Sequence, residues 1–187
     1  MRKNLKAIIV VCMLIATGMV SAASLTAAAN QLKTAYQKLQ ISRNSNIYQK
    51  QFLSAFPTSS KEFNRLFNSR KKDQLYDGND YIFQLERIAI NHPQQTFQLV
   101  LNLASELKWQ SGAANYLQFV LMKISLNDPL MFHQQMQSLS KKGKSQVVRF
   151  MTQGKKGPGV GYTQLVSMLR RLDRNTLADE LEEQLYR

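Results

Sequence analysis

Cysteine is almost absent from this chain. Its single cysteine, Cys12, lies inside an apolar N-terminal run and is not followed by the mature start of a lipid-anchored protein. Once that run is removed, neither a disulfide nor a cysteine-based zinc site is possible. Histidine is scarce as well, with two residues, His92 and His133. Neither belongs to a His-Glu-x-x-His pattern, so no metal centre and no cofactor is expected. Clean strand alternation with hairpin turns is missing too, which argues against a β fold. Downstream of the N-terminus no stretch reaches the roughly 18 apolar residues that a spanning helix requires. Acid is the last absence: between Asp128 and Asp173 there is no Asp or Glu at all.

What is present begins with a targeting pattern. Arg2, Lys3 and Lys6 precede an apolar run from Ala7 to Ala16, and small or short residues follow at Val20 and Ala22. Positive, apolar, then small is the order of a secretory signal peptide. Residues 1–22 are therefore expected to be removed, with cleavage after Ala22 and the next choice after Ala23. The remaining 23–187 reads as one domain, long enough to bury a core. Its formal charge falls from +13 to +10 when the three N-terminal cations leave (13 minus 3).

The mature sequence reads as helices throughout, all-α, in a compact bundle or short stack of eight to nine short helices. Leu25 to Leu39 carries a broad apolar stripe at helical period. Asn44 or Ser45 caps a second helix, which Pro57 ends. Ser59 and Glu62 have capping-box spacing. Asp77-Gly78 is a turn signal, with Asp77, Asn79 or Asp80 as the cap of the helix after it. Pro93 and Asp128-Pro129 mark two further helix starts. Thr176 with Asp179 is expected to cap the last helix. The segments around residues 97–107 and 116–126 are apolar over most of their girth and belong at the centre. Leu101, Leu103, Phe119, Val120 and Ile124 are accordingly read as core. Phe52, Phe56, Phe63 and Phe67 have helical spacing and read as core too, rather than as a stacking groove, so nucleic acid is a disfavoured partner.

Catalytic chemistry has little to stand on. Gly143-Lys144-Ser145 has the ending of a phosphate-binding loop, but the glycine required five residues earlier is Ser138, and a helix precedes it instead of a strand. His92 reads as a capping or polar loop residue. His133 reads as a surface helix residue within reach of Asp128. Glycan hydrolysis needs two carboxylates at a set separation, and Glu106, after an apolar face, is the carboxylate to test for burial. No catalytic residue is assigned.

Charge is the stronger signal. Lys141, Lys142 and Lys144 read as one basic inter-helix loop, and Lys155 and Lys156 as a second. Gly157 and Gly159, with Gly161, allow close backbone approach beside the second group. These residues form the candidate anion-binding set. Trp109, Lys71, Lys72 and Tyr76 form a candidate interface. The expected function is that of an exported, periplasmic or secreted binding protein whose basic surface contacts an anionic envelope component. The alternatives are a helical module that grips another exported protein, accessory or immunity-like, and a cell-wall-acting hydrolase.

Overall fold

The computed structural model describes residues 27–67, 75, 78–108, 112–153 and 160–184. Among them are ten helices and no strand: α1 (27–41), α2 (Asn46–Ala55), α3 (Ser60–Phe67), α4 (Gly78–Ala89), α5 (Pro93–Glu106), α6 (Ala113–Asn127), α7 (Pro129–Ser138), α8 (Lys141–Thr152), α9 (Val160–Arg171) and α10 (Asn175–Glu183). The periodicity is read correctly as all-α, and the helices form a bundle. No helix among the described residues is long and apolar enough to cross a membrane.

Local signals set most of the boundaries. Ser45 accepts a hydrogen bond from the Tyr48 backbone N–H and caps α2. Phe56, placed extended by the following proline, ends that helix. The Ser59 hydroxyl accepts from the Glu62 N–H at 3.3 Å. Pro93 occupies the first turn of α5, where its missing N–H costs nothing. His92, at the cap position of that helix, makes no side-chain capping bond. Asp128 ends α6 and accepts from Met131 N–H at 2.9 Å to start α7.

Packing then places α5 and α6 at the centre. α5 lies against α4, α6, α7 and α8, and α6 also touches α4, α7, α8 and α9. Leu101, Leu103, Val120 and Ile124 are buried as expected. Phe119 is not: 49% of it is exposed. α6 is apolar on more faces than its neighbours can cover, so one aromatic edge faces outward. The α2–α3 phenylalanines do form core. Phe56 stacks near Phe52, Phe63 and Phe67 at centroid separations of 5.8, 6.3 and 5.8 Å.

Several bonds between helices complete the architecture. Gln118, in the middle of α6, brings its amide nitrogen to the carbonyls of Phe150 and Gln153 at 2.6 and 2.7 Å, which supplies partners for the C-terminal end of α8. Buried Tyr162 on α9 donates to the Leu181 carbonyl of α10 at 2.6 Å. Glu106 is exposed, contrary to the burial considered for it, and its Oε2 accepts from the Ser60 N–H at 3.0 Å. That carboxylate thus serves the positive end of α3. The expected Thr176–Asp179 cap does not form. α10 starts at Asn175 without a side-chain cap, and Asp179 instead pairs with Arg170 at 2.8 Å.

Candidate functional site

Ser140 decides the geometry of the first lysine group. Its extended backbone turns the hydroxyl to accept from the Gly143 N–H at 3.1 Å, a standard N-cap. Helix α8 consequently begins at Lys141, and Lys141, Lys142 and Lys144 occupy its first turn rather than the loop expected for them. The helix persists through them because Val147, Val148, Phe150 and Met151 further along are buried. Gly143 is not demanded by its surroundings: an added Cβ would meet the Ser140 Oγ at 3.4 Å and Leu139 Cβ at 3.5 Å, ordinary contacts.

This placement matters electrostatically. The first turn of a helix carries unpaired N–H groups and an effective positive charge, so acidic side chains are favoured there. α8 has no acid in its first turn, and three lysines stand in that region. Lys141 and Lys142 are exposed. Lys144 is partly buried and donates to the Gln137 Oε1 at 2.8 Å. The Gln137 amide nitrogen in turn lies 3.4 Å from the His133 Nε2. His133 therefore engages Gln137, whereas Asp128 is occupied in capping α7. Loss of solvation, then the charges of Arg174 and Lys144, hold the His133 pKa below its ordinary 6.5.

Among the described residues no carboxylate lies within ion-pairing distance of Lys141, Lys142 or Lys144. Asp179 and Glu182 of α10 both pair with Arg170 on α9. Lys155, Lys156, Gly157, Gly159, Trp109, Lys71, Lys72 and Tyr76 lie outside the described residues. Gly161 does lie within them. A Cβ there would meet Met122 Cγ at 3.1 Å and Leu126 Cδ1 at 3.3 Å, so α9 approaches α6 closely at this point.

A second surface went unread in the sequence. Phe83 on α4 meets Tyr116 and Phe119 on α6 edge-on, with centroids 5.4 and 5.9 Å apart. Lys123 sits over the Phe119 ring at 5.4 Å. These rings border a mostly apolar groove of about 370 Å³ that continues to Met122 and Gly161. The available signal was Tyr116, Phe119 and Lys123 at i, i+3 and i+7, since a lysine on the same stripe marks an edge facing water. No group of three or more His, Cys, Asp or Glu is placed to hold a metal ion among the described residues. No family model, curated protein or solved structure matches this chain.

Proposed function

We propose that this is an exported helical binding protein that docks through the basic start of α8 on an anionic component of the cell envelope. One observation carries the reading. Lys141, Lys142 and Lys144 stand at the positive end of a helix with no carboxylate in pairing range among the described residues. Three cations on a positively polarised helix end repel one another and the helix, and an external anion relieves both penalties. The export half of the proposal rests on the signal-peptide order of residues 1–22.

Cosedimentation with anionic phosphatidylglycerol vesicles tests the docking half. Wild type should be retained at low salt and released as salt rises, because exposed charges are screened over about 8–10 Å near physiological ionic strength. The Lys141→Gln, Lys142→Gln, Lys144→Gln triple variant should lose most of that retention while keeping its helical circular dichroism. Equal retention of the two proteins would overturn the reading.

A second reading has its own observation. The Phe83–Tyr116–Phe119 cluster, with Tyr116 and Phe119 exposed and Phe83 partly buried, has the aromatic character of a protein interface. A protein partner would be lost on Phe119→Glu and kept in the triple lysine variant. Hydrolysis draws no comparable support. The buried polar side chains among the described residues are Gln49, Gln84, Thr96 and Ser125, none of them a carboxylate.

A further inference from the structure

Helices α1, α2 and α4, with the turns that follow α1 and α4, border a half-open cavity of about 490 Å³ whose chemistry differs from every surface described above. Its floor holds two buried amides, Gln49 and Gln84, beside buried Leu39 and Ile88. Two arginines, Arg43 and Arg87, and two asparagines, Asn44 and Asn91, stand exposed around it. Among the described residues no acidic side chain lines it. Neither arginine is in an ion pair with a described carboxylate.

The walls are held by hydrogen bonds. Asn91 donates to Gln49 Oε1 at 3.1 Å, and Gln49 Nε2 donates to the Arg43 carbonyl at 2.8 Å. The Arg43 guanidinium donates to Gln40 Oε1 at 3.0 Å. Gln84 spends its amide nitrogen on the Asp80 carbonyl at 3.1 Å, which leaves its Oε1 without a donor among the described residues. A preorganised wall of this kind lowers the ordering cost of binding.

We infer that this cavity binds a small hydroxylated carboxylate, of the chemical class of an acidic sugar. Guanidinium groups donate in a planar fork that matches a carboxylate. Once the carboxylate is placed, the Gln84 Oε1 is available to accept from a sugar hydroxyl. Ile90, an exposed apolar residue of the lining, suits the C–H face of a small ring. The volume lies within the range of small-ligand sites, about 300–1,000 Å³.

Titration of the isotopically labelled protein with D-glucuronate, followed by NMR of side-chain amides, tests the assignment. Saturable shifts of the Gln49, Gln84 and Asn91 amide signals are expected. D-glucose, which lacks the carboxylate, and acetate, which lacks the hydroxyls, should each bind at least about tenfold more weakly. The Arg43→Gln, Arg87→Gln double variant changes exposed residues, so the fold should be kept and the glucuronate affinity should fall by a similar factor. Gln84→Leu should narrow the gap between glucuronate and acetate while leaving acetate binding unchanged. Absence of saturable shifts, identical titration of the double variant, or inorganic phosphate binding as tightly as glucuronate would each overturn the proposal.

Discussion

Gly78 and Phe119 occupy opposite positions relative to what their residue types imply. Of the Asp77-Gly78 turn signal, Asp77 lies outside the described residues, while Gly78 is the first residue of α4 and is buried, and Asn79 and Asp80, the other cap candidates, lie inside that helix. A Cβ at Gly78 would stand 2.7 Å from Cδ1 of Phe67, a ring already packed on Phe56 and Phe63. Alanine normally favours a helix over glycine by about 1 kcal/mol. Here the clash should outweigh that gain, and Gly78→Ala should destabilise by about 1–3 kcal/mol in chemical denaturation. A stabilised variant would mean that the Phe67 ring moves freely. Phe119 is the reverse case, an aromatic whose exposure makes truncation cheap. Leu103→Ala, at 0% exposure, should cost about 2–5 kcal/mol. Phe119→Ala should cost less, losing chiefly the edge contact with Phe83 and the cation–π contact of Lys123. Comparable losses for the two would place Phe119 in the core after all.

At the level of the helix, α8 brings local stability and the proposed binding role into conflict. Replacing Lys142 by Glu puts an acid where the helix end favours one, and should raise stability by about 0.3–1 kcal/mol at low salt. The same change should weaken retention on anionic vesicles. Thermal melts and cosedimentation of one variant read both effects, and a variant that loses stability would remove the electrostatic account of this helix end. Helix starts were the most legible feature of the sequence, because a cap involves residues two or three positions apart. Ser45, Ser59, Pro93 and Asp128 all act where their spacing places them. The start of α8 was missed because three lysines around Gly143 resemble a loop, although Ser140 is an ordinary N-cap residue. Thr176 and Asp179 have the right spacing, but Arg170 takes the carboxylate from another helix. Such competition is tertiary and leaves no mark in local pattern. The cavity floored by Gln49 and Gln84 was illegible for the same reason, being assembled from separate helices, whereas the Tyr116–Phe119–Lys123 stripe lies on one helix and was legible but read as core.

Across the whole molecule, charge is segregated rather than balanced. The acidic last helix directs Asp179 and Glu182 at Arg170, while the lysines of α8 are left without carboxylate partners among the described residues. His133 reports that imbalance. Its pKa is lowered, by desolvation first and then by Arg174 and Lys144. A base whose pKa is lower folded than unfolded binds fewer protons in the native state. Stability therefore loses nothing at pH well above 6.5 and falls as pH drops through and below that value. His133→Gln should flatten this part of the pH–stability curve. The same ring offers a direct readout of anion docking. Short-chain polyphosphate bound near Lys144 and Arg174 would cancel part of the field that disfavours imidazolium, so the His133 pKa measured by NMR should rise towards 6.5 or beyond. Arg174→Gln should raise it without any anion, by removing one of the two charges. A His133 titration that polyphosphate leaves unmoved, while Arg174→Gln shifts it, would show that the ring senses local charge and that the anion does not dock on this face.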